Sequence, residues 1–547
     1  MDNQFFSLNN NFQTQTFNGF SWHGPAEQLK HDLEDIRSLL LNLSQPCWVV
    51  GQNERLVLAG EGKLQPAGIS SLTPLGWVGP LGPEFLGDQS FCRDHGTRFA
   101  LYAGAMANGI ASEELVIAMG QAGFFGSFGA GGLSPVRIEQ AIQRIQAALP
   151  DGPYAFNLLN SPNETAIEQR TVDLYLKYNI RVIEASAYLA LTAPLVQYRA
   201  AGLSQNSDGS VRIQNHIIAK ISRKEIARRF MEPASTEVLN RLVQEGKITQ
   251  QQAELAQRVP VADDITAEAD SGGHTDNRPL VGLIPAMLAL RDSIQSKHNY
   301  AQPIRIGAAG GIATPASTLA AFMMGAAYVV TGSVNQACVE AGASEHTRKL
   351  LAQAESTDVS MAPASDMFEM GVKVQVLKRG TMFAMRAQKL YELYSRYESL
   401  ETIPAAEREK LESTVFKRTF DDIWAECVSF FGERDPRQIE RANQNPHDKM
   451  ALVFRWYLGL SSRWSNHGEA GREMDYQIWC GPAMGAFNDW TRGTYLAEPS
   501  NRRVADVNLQ LLTGAAYLYR LRLLEAQGIR IAAELQHYFP QENFTRS

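Results

Sequence analysis

The sequence predicts an α/β protein built on a (β/α)8 TIM barrel. From about residue 98 onward, short apolar runs alternate with helical stretches, and eight such runs can be counted. Alternating strands and helices indicate a parallel sheet, and eight units indicate closure into a barrel. An open doubly wound sheet is the alternative. The first strand is not followed by GxGxxG, however, and no GxxxxGK[ST] loop occurs, so the closed barrel is favoured.

The eight predicted strands are short and recur along residues 96–335, which we predict to be the barrel. They cover residues 99–105, 124–129, 154–159, 181–186, 216–222, 265–269, 304–309 and 327–332. Between them, stretches such as SEELVIAMGQAG and ETAIEQRTVDLYLKYN place their apolar residues on one helical face.

Three segments do not follow this alternation of strands and helices. Residues 1–95 are predicted to form an N-terminal cap containing β structure, because CWVVGQNERLVLAG has two apolar runs around a polar turn. Residues 223–262 are predicted to form a helical insertion between strands five and six, on the carboxyl-terminal face of the barrel. Residues 336–547 are predicted to form a helical C-terminal region.

Composition limits the classes of function. Of the 547 residues, 44% are hydrophobic and 20% charged, with a net charge of -7, which is typical of globular proteins and argues against general nucleic-acid binding. Five scattered cysteines form no CxxC pair, so we expect neither disulfides nor a metal site. With no signal-peptide pattern and no apolar run long enough to span a membrane, we expect a cytoplasmic protein.

Two small-residue loops indicate an anion site. Loops after strands seven and eight of such barrels commonly bind phosphate. Here they supply Gly310, Gly311, Ile312, Gly332 and Ser333. The sequence TPAST opens the next helix, whose free N–H groups would also favour an anion. The alternative is that the glycines only tighten turns.

The stretch EADSGGHTDN, residues 268–277, follows the sixth strand on the same face. Gly272 and Gly273 would let a flat ligand approach the backbone, and His274 has a side chain suited to proton transfer. A histidine that merely orients the turn is the alternative. Asp270 and Asp276 could form a glycosidase-like carboxylate pair, but a capping role and solvent exposure are expected of them.

Polar side chains end three further strands. Met106 and Asn108 follow the first strand, Asn157 and Asn160 lie at the third, and Lys220 lies at the fifth. An amide can bond the edge of a heterocycle, and a lysine can neutralise negative charge on it. Each residue alone could be structural, but their convergence on one face predicts a ligand pocket.

Several motifs together resemble a known family. GAMANGIASEELVIAMGQAGFFGSFGAGGL, EADSGGH, AAGGI and GAAYVVTGS resemble the FMN-binding barrel of nitronate monooxygenases (the 2-nitropropane dioxygenase family) and of FMN-dependent enoyl-acyl-carrier-protein reductases. MFEMGVKVQVLKRGTMFAMRAQKLYELY, the insertion and the C-terminal region resemble the PfaD-type enoyl reductase subunit of polyunsaturated fatty acid synthases and its polyketide counterparts. The resemblance covers nearly the whole chain.

The resemblance implies a trans-acting, homodimeric enoyl reductase that uses NADPH-reduced FMN to reduce 2,3-enoyl thioesters on an acyl carrier protein. Carried over by motif, Met106, Asn108 and Asn157 would contact the flavin. The phosphate would be held by Gly310, Gly311, Ile312, Gly332 and Ser333. The reactive ring would face Glu268, Gly272, Gly273 and His274, while Lys220 matches less well. His274 would be the proton or hydrogen-bond donor in catalysis, with water as the alternative.

Five basic residues and no acidic one lie between residues 371 and 391, in a chain that is acidic overall. Since carrier proteins are generally acidic, these residues are predicted to help dock one. They are Lys373, Lys378, Arg379, Arg386 and Lys389. The alternative is a solvated face or internal ion pairing.

Three other functions stay open from the sequence. A nitronate monooxygenase-like flavin oxidase would use His274 as a base. A non-catalytic scaffold would bind carriers within a synthase, and a phosphosugar enzyme would use the phosphate loops without flavin.

Overall fold

Eight parallel strands close into a barrel in the computed structural model, which describes residues 5–8, 17–52, 55–68, 72–160 and 165–542. Each strand pairs with the next, and the eighth pairs with the first. They are β1 (Leu101–Ala103), β2 (Phe125–Phe128), β3 (Ala155–Leu159), β4 (Val182–Ser186), β5 (His216–Ile221), β6 (Asp264–Glu268), β7 (Arg305–Ala309) and β8 (Val329–Thr331). The predicted TIM barrel is therefore confirmed, with a strand in every predicted run.

Helices cover the outside of the barrel, as the periodicity predicts. Several begin at a hydroxyl side chain that accepts a backbone N–H of the first turn, as Ser112, Ser134 and Thr192 do. Between β1 and β8 the helices span Glu113–Gln121, Pro135–Ala148, Thr165–Lys177, Ala193–Ala201, Lys224–Met231, Thr236–Gln244, Gln250–Ala256, Leu280–His298 and Pro315–Met323. Across the described ranges, no helix is both long enough and apolar enough to cross a bilayer.

Helix Gln89–His95 closes the amino-terminal end of the barrel. His95 Nε2 lies 2.8 Å from Asp264 Oδ2 at the start of β6. Arg305, at the start of β7, binds the same carboxylate through Nε at 2.6 Å. Because packed and paired side chains fill this end, ligand-sized space lies at the opposite, carboxyl-terminal end.

The first part of the chain forms small antiparallel sheets beside the barrel. Strands Cys47–Gln52 and Arg55–Ala59 pair with each other, which confirms the predicted hairpin, while turn residues 53 and 54 lie outside the described residues. The remaining elements here are strands Phe6–Leu8, Phe20–His23, Leu29–Lys30, Lys63–Pro66 and Thr73–Val78 and helix Leu33–Leu41. Their apolar side chains form a core shared with residues near the carboxyl terminus.

Helix Val504–Glu525 completes the helical layer of the barrel. It packs against helices Glu113–Gln121 and Pro315–Met323, where the eighth barrel helix would lie. Its Asn508 donates through Nδ2 to Oδ1 of Asn335, just after β8, at 2.9 Å. The predicted boundary at residue 335 therefore does not separate two units, because the barrel core includes this later helix.

Residues 337–503, here called the helical subdomain, lie over the carboxyl-terminal end of the barrel. Strand Gly273–His274, in the loop after β6, pairs with Lys373–Leu377, which pairs with Val359–Pro363. This small sheet fastens the subdomain to the barrel. The α-helices of the subdomain span Glu345–Ala352, Phe383–Arg396, Ala405–Leu411, Phe420–Arg434, Pro436–Gln444, Pro446–His467 and Ala483–Thr491.

The insertion at residues 223–262 is helical, but its predicted position was wrong. Its helices pack against Ala193–Ala201 and Leu280–His298 on the outside of the barrel. Gln252 donates through Nε2 to the Ala201 carbonyl at 3.0 Å, near the amino-terminal end of β5. The insertion has an apolar face that this outer layer buries, so it does not cover the carboxyl-terminal face.

Candidate functional site

A cavity of about 260 Å³ lies at the carboxyl-terminal end of the barrel, beneath the helical subdomain. Every residue predicted for catalysis or cofactor binding lines it. These are Met106, Asn108, Asn157, Lys220, Glu268, Gly272, Gly273, His274, Gly310, Gly311, Ile312, Gly332 and Ser333. Asn160 does not line this cavity, because its Nδ2 points to Glu168 Oε2 at 3.4 Å.

The loops after β7 and β8 form a glycine cradle at one side of the cavity. Gly310 and Gly311 have φ angles of +84° and +80°. A Cβ on Gly310 would lie 2.7 Å from the carbonyl carbon of Ala269, so this glycine permits close packing of two loops. A Cβ on Gly311 or Gly332 would meet no atom within 4 Å. These two glycines therefore leave space beside the backbone for a ligand.

The amino terminus of helix Pro315–Met323 does not contribute to the cavity. Ser317 N donates to Thr314 Oγ1 at 3.2 Å, and Thr314 N donates to Ser317 Oγ at 3.0 Å. The prediction that this helix terminus favours the anion was therefore wrong, since none of residues 313–318 lines the cavity and a capping box already satisfies two of the N–H groups. Gln336 lines the cavity instead, and its buried Nε2 has no hydrogen-bond partner within the described part of the chain.

Lys220 lies between two carboxylates in the cavity. Its Nζ is 3.0 Å from Glu268 Oε1 and 3.5 Å from Glu184 Oε1. Burial alone would lower the pKa of Lys220, but the two carboxylates outweigh burial and raise it. Lys220 therefore remains an ammonium ion at neutral pH.

Glu184 was not predicted from the sequence. It is fully buried on β4, and its Oε2 accepts the backbone N–H of Ala105 at 3.0 Å. A signal for it was present, because a glutamate inside the apolar run RVIEAS is expected to be buried only with a partner. That partner, Lys220, comes from the neighbouring strand β5.

His274 pairs with a carboxylate of the helical subdomain. Its Nε2 lies 3.2 Å from Asp366 Oδ1. Burial would lower the pKa of His274, but Asp366 outweighs burial and raises the pKa above its usual value. The side chain is 34% exposed and lines the cavity, so the imidazole faces the ligand space. No motif in the sequence indicated Asp366.

Gly272 and Gly273 serve different purposes. A Cβ on Gly272 would lie 2.8 Å from the backbone nitrogen of Cys480, so Gly272 permits the subdomain to approach the barrel. Gly273 has a φ of +81°, and a Cβ there would meet nothing within 4 Å. Only Gly273 of this pair therefore fits the prediction of a glycine that leaves room for a flat ligand.

Asp270 and Asp276 hold the loop after β6 in place. Asp270 Oδ1 accepts Nε2 of Gln375 at 2.7 Å. Asp276 is bound by Arg223, whose hydrogen bonds lower the pKa of this carboxyl to about 2. Both carboxylates are engaged in structural contacts, so they do not form a glycosidase-like catalytic pair.

The basic segment at residues 371–391 is not one continuous docking surface. Arg386 forms an ion pair with the fully buried Asp475, which also accepts the Tyr457 hydroxyl at 2.8 Å. The prediction that Arg386 helps dock a carrier was therefore wrong. Its charge neutralises a buried carboxylate. This is the internal ion pairing that the sequence left open as the alternative.

The other four basic residues of that segment are exposed. Arg379 pairs with Asp358 and Lys389 with Glu407, each at 3.0 Å. Lys373 and Lys378 show no ion pair with any described residue and flank the strand that pairs with Gly273–His274. Of the five basic residues, these two lysines are thus the ones without an ion pair among the described residues.

Three parts of the chain match known protein families. Residues 91–392, more than half of the chain, match nitronate monooxygenase. Residues 22–76 match the N-terminal domain of the fatty acid synthase subunit PfaD. Residues 397–476, in the helical subdomain, match the inserted helical domain of acyl-carrier-protein S-malonyltransferase.

Individual relatives agree with these matches. The chain is 48% identical over 516 residues to a polyunsaturated fatty acid synthase subunit of Thraustochytrium sp., covering 92% of this chain but 33% of that protein. It is 46% identical over 441 residues to the polyketide biosynthesis protein PksE of Bacillus subtilis, covering 80% of this chain and 57% of PksE. The chain thus spans about a third of the length of the Thraustochytrium subunit and just over half of the length of PksE.

A solved structure is also similar over most of the chain. The enoyl reductase domain of MlnA, from the macrolactin biosynthesis cluster of Bacillus amyloliquefaciens, is 42% identical with a TM-score of 0.77. The match covers 80% of this chain and 99% of that domain. The chain therefore belongs to the nitronate monooxygenase family, and its resemblance to the PfaD-type proteins of polyunsaturated fatty acid and polyketide synthases is confirmed.

Proposed function

We propose that the protein is an FMN-dependent enoyl reductase that acts in trans on 2,3-enoyl thioesters of an acyl carrier protein, in polyunsaturated fatty acid or polyketide biosynthesis. The names of the relatives support this reaction class and setting. The observation that carries the proposal is a histidine that lines the cavity, with its Nε2 3.2 Å from the Asp366 carboxylate, which raises its pKa. An acid at this place suits the addition of a proton to a substrate.

The cavity fits flavin mononucleotide. Gly273, Gly311 and Gly332 each leave space that a Cβ would fill, and Gln336 Nε2 lacks a partner among the described residues. We assign the phosphate to Gly310, Gly311, Ile312, Gly332, Ser333 and Gln336, and the ring to Met106, Asn108, Asn157 and Gly273. Bound there, FMN would supply hydride transfer from NADPH to the β-carbon of the enoyl thioester.

Lys220 supplies positive charge beside the proposed ring site. Its ammonium is held by Glu268 and Glu184, which fixes its position at the end of β5. A positioned ammonium group can donate a hydrogen bond to a ligand beside it. Lys220 is therefore proposed to donate a hydrogen bond to the ring, and Glu268 and Glu184 to hold Lys220 in place.

His274 is proposed to supply the proton that completes the reduction. Saturating the 2,3 double bond adds a hydride at the β-carbon and a proton at the α-carbon. Asp366 raises the pKa of His274, which favours the protonated state that a donor needs. In an oxidase of the nitronate monooxygenase type, the histidine would act as a base and would need to be unprotonated. The two reactions therefore require opposite protonation states of His274.

The carrier protein is proposed to dock beside strand Lys373–Leu377, which contributes Val374 to the cavity lining. Lys373 and Lys378 are exposed there, with Arg379 and Lys389 beside them in the sequence. Positive side chains would steer an acidic carrier to this side of the molecule. We also propose a homodimer, which light scattering at several concentrations would test.

Absorbance spectra recorded under anaerobic conditions test the function. After reconstitution with FMN, NADPH should bleach the flavin bands, and an enoyl thioester on a carrier protein should restore them. His274→Ala should lose enoyl reduction while keeping bleaching by NADPH. Flavin bands restored only by oxygen would indicate the oxidase. Failure to bind FMN would leave a non-catalytic scaffold and a flavin-independent enzyme as the remaining alternatives.

A further inference from the structure

A second cavity, of about 340 Å³, lies between the barrel and the helical subdomain. The loop after β2, strand β3 and helices Pro135–Ala148 and Thr165–Lys177 form one side, and helices Phe420–Arg434 and Pro446–His467 form the other. It shares lining residues with the first cavity, among them Asn108, Gly131, Asn157, Asp366, Gln477 and Trp479. The two cavities therefore adjoin, and Asp366, the partner of His274, belongs to both.

The walls of the second cavity are mainly apolar. The barrel contributes aliphatic side chains after β2 and β3, and the subdomain contributes aromatic and aliphatic side chains. Examples are Leu133, Ile138, Ile167, Phe431, Trp456 and Leu460. Such a lining is typical of a site that binds a hydrocarbon portion of a ligand.

The charged groups of the second cavity are already bound by the protein. Glu168 accepts the Tyr188 hydroxyl at 2.8 Å. Glu426 accepts an indole N–H at 2.8 Å, and Arg455 pairs with a carboxylate at 3.1 Å. Arg463 also has a partner. Because these charges are satisfied, the cavity offers a ligand apolar contact rather than a site for phosphates.

We propose that the second cavity binds the acyl chain of the substrate, beyond the double bond, while reduction takes place in the first cavity. This inference rests on the proposed function. The shared wall at Asp366 places the chain site next to His274, where the double bond would react. The volume lies within the roughly 300 to 1,000 Å³ of small-molecule sites. Reduction should thus become more efficient with chain length, by roughly fourfold in kcat/KM per added methylene until the cavity is full.

Gly459 offers a way to fill the cavity without disturbing the fold. It lies on helix Pro446–His467 and lines the cavity, and a Cβ there would meet no atom within 4 Å. Leucine is also a better helix former than glycine, so Gly459→Leu should fold. Gly432→Leu is the matched control. Gly432 lies on helix Phe420–Arg434, its Cβ would also meet nothing within 4 Å, and it is not a lining residue.

Chain-length selectivity is the first measurement. Reduction of 2-butenoyl and 2-decenoyl pantetheine thioesters is compared for wild type and both variants. Gly459→Leu should lower kcat/KM at least about tenfold for the ten-carbon substrate and less than about twofold for the four-carbon one. Gly432→Leu should change neither. Equal losses at both lengths, no loss at either, or a loss confined to NADPH affinity would overturn the proposal.

Fluorescence quenching separates this inference from the proposed reaction. A saturated acyl-pantetheine thioester carrying a nitroxide near the chain end should quench Trp456, which lines the second cavity. Part of the quenching should disappear in Trp456→Phe and in Gly459→Leu. Quenching by a protein that reduces no enoyl thioester would support the chain site and reject the reductase function. Quenching that is absent, or unchanged in both variants, would reject the chain site.

Discussion

His274 Nε2 lies 3.2 Å from Asp366 Oδ1, although the two residues are 92 positions apart in the sequence. Strand pairing between Gly273–His274 and Lys373–Leu377 holds the loop of His274 against the subdomain that carries Asp366. Burial opposes charge on both groups, but their attraction prevails, raising the pKa of His274 and lowering that of Asp366. Protonation of the cavity wall thus depends on a contact between barrel and subdomain.

Replacing Asp366 should move the pH dependence of enoyl reduction. Without the carboxylate, burial lowers the pKa of His274, so Asp366→Asn should lose activity at a lower pH than wild type. We expect the kcat/KM of Asp366→Asn, relative to that of wild type, to fall further at pH 8 than at pH 6. The profile of His274→Gln should lack this alkaline limb. An unchanged profile in Asp366→Asn would show that the pair does not set the protonation state.

The same pair should contribute to stability over a defined pH range. Its contribution is complete above the unfolded Asp value near 3.9 and below the unfolded His value near 6.5. It is lost as pH rises through the raised pKa of His274, and as pH falls through the lowered pKa of Asp366. Both side chains are partly exposed, so we expect Asp366→Asn to cost only about 0.5 to 1 kcal/mol near pH 5.5. Urea unfolding at pH 5.5 and pH 9 measures the difference, which should shrink at pH 9.

Lys220→Met should destabilise the fold strongly at neutral pH. It would leave Glu184, which is fully buried, and Glu268 without their shared cation. An uncompensated buried charge costs about 3 to 5 kcal/mol. Urea unfolding at pH 7 measures this loss.

A triple substitution serves as the control for Lys220. Lys220→Met combined with Glu184→Gln and Glu268→Gln removes all three charges, so it should recover a large part of the lost stability. If the triple variant is as unstable as Lys220→Met alone, loss of packing rather than loss of charge explains the effect.

Gly311→Ala should weaken FMN binding while the protein still folds. Its φ of +80° makes alanine strained by about 1 to 2 kcal/mol, and the added methyl group would occupy the cradle. We expect the Kd for FMN, measured by flavin fluorescence, to rise at least about tenfold, the equivalent of 1.4 kcal/mol. Gly493→Ala is the control, since its φ is +76°, a Cβ there also meets nothing within 4 Å, and it lies outside the cavity lining. Equal effects of the two variants on FMN affinity would argue against the cradle.

Reversing the charge of the two exposed lysines should impair the reduction of carrier-bound substrate. Lys373→Glu with Lys378→Glu should raise KM for an enoyl-carrier protein by roughly three- to tenfold and leave KM for the free pantetheine thioester unchanged. The charge-matched control is Arg55→Glu with Lys63→Glu, two exposed residues of the N-terminal sheets. Turnover on carrier that is insensitive to salt, or an equal effect of the control pair, would contradict the docking site.

Local pattern in the sequence was enough to specify the barrel and most of the cavity lining. Apolar runs at regular spacing predicted all eight strands, because strand and helix periodicity is a property of neighbouring residues. In a parallel barrel all carboxyl-terminal strand ends meet, so strand order alone was enough to place Gly311, Lys220 and His274 together. Glu184 could also have been predicted to belong to the site, because an acidic residue within an apolar strand needs a positively charged partner when it is buried.

Contacts between distant segments were decided only by the tertiary structure. No local pattern pairs His274 with Asp366, assigns Arg386 to the buried Asp475, or inserts helix Val504–Glu525 into the barrel layer. The position of the insertion at residues 223–262 was likewise determined by the barrel surface that buries its apolar face. Periodicity states which face of an element is buried, but the partner that buries it is chosen by packing and charge compensation across the whole chain.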